Sequence, residues 1–377
     1  MKQLVLINKK KELPDRKLVS YHDFTLKGLC GVFTIGLLET DDIHLDTSLP
    51  ENDYNVLVKI LAVSSNYRDI YLLNLYSHLL KKEDAPHYVF GSEFVGEIVA
   101  VGKKIEHLKV GDRVIPNCAY PEKEAPFPLM EGIPSNSSFS ELLVINAFNV
   151  VKIPASMSNA EAAGFSVNFF TVYSMLRKLG VDNDKPKNIL LFGVKSNVSL
   201  TALLALQNRS DVTLYGTSSN DEGLSELFSY GLNRLIISDS NHSVDINKIM
   251  SIRAIAEAGG FDYVIDPFSD MNMNAAAQLL KKNGKYATCG IQNQLPEGVN
   301  KFDSSILEVL IRKNIQLIFN CLGMAEDIEA AFDDYRNEKL SVPVYKTYPL
   351  SQYHDFLQYS YGHSKKPFGK LVLSFAE

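Results

Sequence analysis

The run from Gly91 to Pro116 leaves this chain fewer folding options than any other stretch. A strand-like segment, Phe94 to Val101, is interrupted by Gly96 and followed by glycine-marked turns. Glycine inside a strand marks a bend at a barrel corner or a backbone that passes close to another segment. Gly102 and the Gly111-Asp112 pair supply the turns, which leaves Ile105, Leu108 and Val110 to face inward. The pattern predicts a small β-barrel wrapped around a candidate active site.

A chain of 377 residues exceeds what one hydrophobic core supports, so two domains are expected. Apolar residues make up 46% and charged residues 22%, an ordinary globular balance that argues against a disordered chain. The net charge of −6 argues against a nucleic-acid partner, which needs a basic stripe to neutralise phosphates. Cys30, Cys118, Cys289 and Cys321 lie far apart with no Cys-x-x-Cys spacing, which predicts neither a structural zinc lobe nor a redox pair and suits a reducing cytoplasm. The apolar run Leu4 to Ile7 is too short for the core of an export signal and precedes its lysines, the wrong order for one. No apolar run approaches the length of a membrane span, so no membrane partner is expected.

Strand patterns appear at Gln3 to Ile7, Gly31 to Leu37 and Asn55 to Ala62. The polar cluster Ser64 to Asp69 opens a short apolar helix at Ile70 to Leu75, and Lys81 to Pro86 and Pro121 to Pro134 read as loops. Ser158 and Glu161 form a capping box at a helix start. Strands and helices then alternate. Helices are expected at Phe169 to Leu179, Leu200 to Gln207, Leu224 to Tyr230 and Ala275 to Leu280. Strands are expected at Asn188 to Phe192, Val212 to Tyr215, Arg234 to Ile237, Tyr263 to Ile265 and Lys285 to Cys289. Such alternation implies a parallel sheet covered on both faces. A helix-prone segment, Ala325 to Lys339, and strands at Val342 to Tyr348 and Lys370 to Phe375 return the chain to its first domain.

Taken in order, Asn66-Tyr67-Arg68-Asp69, the Gly91 to Val114 run, Phe170-Thr171-Val172-Tyr173, the loop at Gly193, Asp262 to Asp266, Lys282 to Lys285 and Gly369 to Leu373 resemble the medium-chain dehydrogenase/reductase superfamily from Leu49 to Phe375. The resemblance implies an α/β protein with a discontinuous GroES-like β-barrel catalytic domain (1–155 and 323–377) and a doubly wound Rossmann dinucleotide-binding domain (156–322). Zinc-dependent members place metal ligands at positions that fall here on Asn66, Ser92 and Val167, a poor donor set, so no zinc is expected.

Without a Lewis acid, hydride addition to an alkene conjugated to a carbonyl is easier than reduction of a simple carbonyl, because the charge spreads into an enolate that hydrogen-bond donors can hold. Zinc-less branches of the family are largely reductases of enones, enoyl thioesters and quinones. Tyr67 is the leading proton donor or oxyanion partner, with Asn66 and Arg68 as supporting donors; the competing structural reading pairs Arg68 with Asp69 at a domain interface.

At the cofactor loop the family carries Gly-x-x-Gly-x-Val-Gly, whereas this chain reads Gly193-Val194-Lys195-Ser196-Asn197-Val198-Ser199. Ser196 and Asn197 remain donors to phosphate, Asn197 tolerates positive φ, and Ser199 is small enough for close packing. The next strand ends Gly216-Thr217-Ser218-Ser219 with no carboxylate for the ribose, which favours NADPH with Lys195 on its extra phosphate, while Asp221 and Glu222 nearby leave NADH open. Thr171 falls where the family places a hydroxyl beside the nicotinamide. The Ser-Asn-x-Ser loop also resembles dehydrogenases that tailor modified peptides, including those that reduce dehydroalanine in lantibiotics. The expected substrate is a small molecule or a peptide, and a homodimer is expected through Ile315 to Phe319 pairing edge to edge. Two alternatives stand beside this reading: a non-catalytic binding protein that kept the fold, and a carbonyl or alcohol oxidoreductase.

Overall fold

The computed structural model describes residues 1–13, 17–26, 31–119, 133–181, 185–239, 244–291, 305–362 and 368–376. Its contacts divide the chain into two compact units, Met1–Val167 with Val342–Glu377, and Asn168–Ser341. Both divisions fall later than the 155/156 and 322/323 expected. Helix Asn159–Ala163 packs on the first unit's strands Asn55–Ser64, Phe94–Val101 and Lys370–Ser374. Helix Ala325–Arg336 is tied instead to helix Ser166–Leu179, through Arg177 on Asp327 (2.7 and 2.9 Å) and Tyr173 on Asp334 (2.8 Å).

The first unit carries a seven-stranded sheet. Its ordered path runs Val344–Pro349, Lys370–Ser374, Asn55–Ser64, Phe94–Val101, Arg113–Pro116 and Val150–Lys152, with Leu142–Asn146 also pairing to Asn55–Ser64. Gly96 sits opposite Ile60, where the register shifts, and a Cβ there would lie 2.3 Å from Val58 Cγ1 and 2.8 Å from the Lys59 carbonyl oxygen. The backbones approach so closely that only glycine fits, as the strand break predicts. Leu108 is buried and Ile105 half-buried, but Val110 is exposed, because it sits in the turn before Gly111 rather than on the inner face. A second, four-stranded antiparallel sheet orders Lys17–Phe24, Phe33–Glu39, Lys2–Ile7 and His87–Val89.

The second unit is a six-stranded parallel sheet in the order Leu232–Ile237, Val212–Ser218, Lys187–Leu191, Phe261–Asp266, Leu280–Thr288, Gln316–Phe319. Numbered along the chain this is 3-2-1-4-5-6, the doubly wound order in which the direction of winding reverses between the first and fourth strands and opens a crevice at their carboxyl ends. The central strands are buried because helices such as Asn197–Leu206 and Ser269–Leu279 pack on them.

Several boundaries differ from the sequence reading. The helix expected at 70–75 runs Tyr67–Lys82, since Ile70, Leu72, Leu73 and Leu80 are all buried and carry it on past the predicted stop. The helix expected at Leu224 to Tyr230 is a single turn, Glu226–Ser229, with Leu227 its one buried residue. The strand expected from Lys285 starts at Leu280, and Asn283 takes up a φ of +61° within it. Of the proline-rich loop at Pro121 to Pro134, 121–132 lies outside the described residues, as does Cys30.

Candidate functional site

The first unit gathers a buried polar cluster where strands Asn55–Ser64, Phe94–Val101 and Lys370–Ser374 run side by side. At its centre is Glu93, with no exposed surface. One carboxylate oxygen accepts from Ser64 Oγ (2.9 Å), Asn66 Nδ2 (2.7 Å) and Lys370 Nζ (3.0 Å). The other accepts from Ser166 Oγ (3.1 Å) and the Val167 backbone N–H (2.8 Å). Lys370, only 4% exposed, also donates to Asn66 Oδ1 (3.0 Å) and Ser64 Oγ (3.4 Å), so its three N–H groups have three acceptors.

A second buried carboxylate, Asp69, organises the start of helix Tyr67–Lys82. It accepts from the Asn66 backbone N–H (2.8 Å), Ser92 Oγ (2.6 Å) and Tyr361 Oη (2.8 Å). Burial pushes its carboxyl above the usual range, against the pull of these hydrogen bonds and of the Arg68 charge. Arg68 does not close an ion pair on Asp69; its guanidinium reaches Ser92 Oγ (2.8 Å) and Asn136 Oδ1 (2.6 Å). Tyr67 is half-buried at the first helical position.

Asn66, Ser92 and Val167 therefore do converge, with Glu93 as the shared neighbour: Asn66 and Val167 bond its carboxylate, and Ser92 precedes it in the chain. They offer an amide engaged at both ends, a hydroxyl already bonded to Asp69 and Arg68, and a side chain with no donor atom. This set does not fit zinc. Among the described residues no group of three or more His, Cys, Asp or Glu is placed to hold a metal.

In the second unit the sequence-predicted cofactor residues line the carboxyl edge of the parallel sheet. Gly193 adopts φ +58°, and a Cβ there would meet only Pro267 Cγ at 4.0 Å, so the loop turns left-handed with open space above it. Its N–H donates to Thr217 Oγ1 (2.9 Å), and the Val194 N–H donates to the Thr217 carbonyl (2.8 Å), which fixes the loop against the next strand. Ser196 caps helix Asn197–Leu206, accepting from the Ser199 N–H (3.2 Å), and buried Ser199 donates to the Phe192 carbonyl (2.5 Å). Asn197 and Val198 are the first residues of this ten-residue helix, so the positive φ expected of Asn197 falls on Gly193 instead. A left-handed glycine, open space and the amides of a helix start at the switch point fit a pyrophosphate.

Lys195 extends to the end of the second strand, donating to Asn220 Oδ1 (2.7 Å) and the Glu222 carbonyl (3.1 Å), beside buried Thr217 and Ser218 and exposed Ser219. Thr171 is 6% exposed, and its carbonyl accepts from Asn320 Nδ2 (3.3 Å) just past the sixth strand.

Sequence reasoning missed Glu93, Lys370, Ser64, Ser166, Tyr361 and Asn320. Glu93 and Lys370 stood inside motifs used as landmarks, yet nothing in either motif tells a reader that the two side chains meet across 277 residues.

A β-barrel unit and a six-stranded doubly wound unit, with a left-handed glycine loop at the switch point, match the architecture of the alcohol dehydrogenase type. Residues 52–155 match the alcohol dehydrogenase GroES-like domain. The chain is 25% identical to quinone oxidoreductase of Lama guanicoe, covering 88% of this chain and 92% of that protein. It is also 25% identical to the synaptic vesicle membrane protein VAT-1 homolog of Danio rerio, over 85% of this chain but 64% of that relative's length. The structure of the CurK enoyl reductase superposes with a TM-score of 0.68 at 18% identity, covering 99% of each chain. These comparisons show an alcohol dehydrogenase GroES-like domain over residues 52–155 and a likeness of the chain to oxidoreductases of the medium-chain dehydrogenase/reductase type.

Proposed function

We propose that this protein is a zinc-independent, NADPH-dependent reductase of a carbon–carbon double bond conjugated to a carbonyl: an enone, an enoyl group, or a dehydroamino acid such as dehydroalanine in a modified peptide. The observation that carries the reading is that the three metal-ligand positions offer no ligand set: Asn66 is bonded to Glu93 and Lys370, Ser92 to Asp69 and Arg68, and the Val167 side chain has no donor atom, which favours enolate chemistry as a route that needs no Lewis acid. When bound, NADPH supplies the hydride. The chain's own part is to hold the pyrophosphate on the Gly193 loop and the start of helix Asn197–Leu206, and to set Lys195 beside Ser218 and Ser219 for a charged ribose substituent. Thr171 positions the nicotinamide, and Tyr67 delivers the proton to the α carbon. CurK's description as an enoyl reductase and the Lama guanicoe relative's as a quinone oxidoreductase are compatible with conjugate acceptors.

The first test is titration of the purified protein with NADPH and with NADH, followed by enone turnover before and after chelator treatment. Binding of NADPH and chelator-resistant turnover support the reading. Failure to bind either nucleotide favours a non-catalytic relative, a reading to which the Ser196 cap lends weight, since its hydroxyl already takes an amide that could serve a phosphate. Lys195→Ala is expected to weaken NADPH binding about tenfold, a loss of ~1.4 kcal/mol, and to leave NADH binding unchanged. Equal losses for both nucleotides would place Lys195 elsewhere.

The proposal extends to a cytoplasmic homodimer. Among the described residues, strand Gln316–Phe319 is the last of its sheet, with Leu317 and Phe319 exposed, an edge suited to pairing with a second copy. Phe319→Lys is expected to shift the elution of the protein in size-exclusion chromatography to the monomer position; unchanged elution would rule this edge out.

A further inference from the structure

We infer that Asn168 is the hydrogen-bond donor to the substrate oxygen that gains negative charge as the conjugated double bond is reduced. The inference rests on the reductase reading above and names a residue for the charge that reading creates. Asn168 lies in the first turn of the 14-residue helix Ser166–Leu179 and is 4% exposed. Its Nδ2 is buried with no hydrogen-bond partner among the described residues. A buried amide donor left unpaired is costly, so a partner that arrives with the ligand is the simplest account of its presence.

The orphan atom is the donor side of the amide, so the missing partner is an acceptor. The start of a helix favours negative charge through its macrodipole, and here the Val167 N–H already holds one carboxylate, that of Glu93, whose charge Lys370 offsets. An acceptor that becomes anionic during the reaction gains from both the amide donor and the macrodipole. Asn168 is also three residues before Thr171, the spacing that places two side chains on one helix face. The helix that carries both is held by the bidentate Arg177–Asp327 pair and by Tyr173 on Asp334, so the donor is fixed before substrate arrives.

The electron balance is closed by the hydride step. A C–H bond forms at the β carbon, the alkene pair moves to join the α and carbonyl carbons, and the carbonyl pair moves onto oxygen, while the dihydronicotinamide is oxidised by two electrons. The proton then taken by the α carbon returns the pair from oxygen. Asn168 Nδ2–H stabilises the oxygen between these events, which makes its contact stronger in the transition state than in the ground state.

The test compares wild type, Asn168→Leu and Asn168→Asp with three readouts: turnover of cyclohex-2-enone with NADPH, affinity for NADPH alone, and affinity of the NADP⁺-loaded protein for cyclohexane-1,3-dione, which is an enolate at neutral pH. For Asn168→Leu we expect turnover to fall about 100-fold, dione affinity to fall at least about tenfold, and NADPH affinity to hold. For Asn168→Asp, which preserves shape, turnover is expected to be lost at high pH and to recover as the introduced carboxylate is protonated. Unchanged turnover and dione affinity in both variants overturn the inference. A parallel loss of NADPH affinity also overturns it, by placing Asn168 on the cofactor. If wild type neither binds the dione nor reduces the enone, the reductase reading falls with it, whereas an active wild type with unaffected variants overturns the Asn168 inference alone.

Discussion

Lys370→Met is expected to destabilise the protein by about 3–5 kcal/mol, because it leaves a fully buried carboxylate without its counter-charge. Lys370 is 4% exposed and Glu93 has no exposed surface, so water cannot replace the ammonium. The other four donors to Glu93 are a serine hydroxyl, an amide, a second serine hydroxyl and a backbone N–H, all neutral. They satisfy lone pairs without neutralising charge. The loss spreads further, since Lys370 also holds Asn66 Oδ1, and Asn66 precedes helix Tyr67–Lys82. Urea unfolding of Lys370→Met, Glu93→Gln and the double variant measures the coupling: the double variant should be less destabilised than the sum of the singles by at least about 1 kcal/mol. Additive losses would mean that the two charges do not stabilise one another.

Tyr67→Phe is expected to lower enone turnover about 100-fold while NADPH affinity stays unchanged, within the range of a lost general acid. The phenol stands on a rigid base. Its neighbours on either side are Asn66, held by Glu93, Lys370 and Asp69, and Arg68, held by Ser92 and Asn136. Replacing the hydroxyl by hydrogen removes the proton and leaves that base in place, so a change confined to turnover is the signature of proton delivery. An unchanged rate would remove Tyr67 from the mechanism, and a fall in both turnover and stability would make it structural.

The alternation of strands and helices from Lys187 onward was legible because period and turn residues are local properties of sequence, and the central strands appear close to where the pattern puts them. Gly96 was legible for the same reason, since a strand broken by glycine announces a close approach. Val110 misled because alternation does not reveal where a strand ends and a turn begins. Helix Tyr67–Lys82 outran its expected end because burial of Leu80 overrides the weak signals at Lys81 and Lys82. At the site, the turn after the first parallel strand could be placed by motif even with its glycines replaced. The Glu93–Lys370 pair could not, because a salt bridge between distant strands leaves no local trace, and Asn168 could not, because an unpaired atom is a property of its surroundings alone.

The span of the Glu93 network also orders events during synthesis. Asn168–Ser341 is continuous in the chain and all of its parallel strands exist by Phe319, so that unit can complete itself while the remainder is still being made. The barrel cannot. Lys370–Ser374 lies inside its sheet, between Val344–Pro349 and Asn55–Ser64, and brings the only cation that meets Glu93 among the described residues. Until Lys370–Ser374 has been made, the early strands hold an unneutralised acid and an unfilled place in their sheet, so the barrel completes only after the parallel sheet.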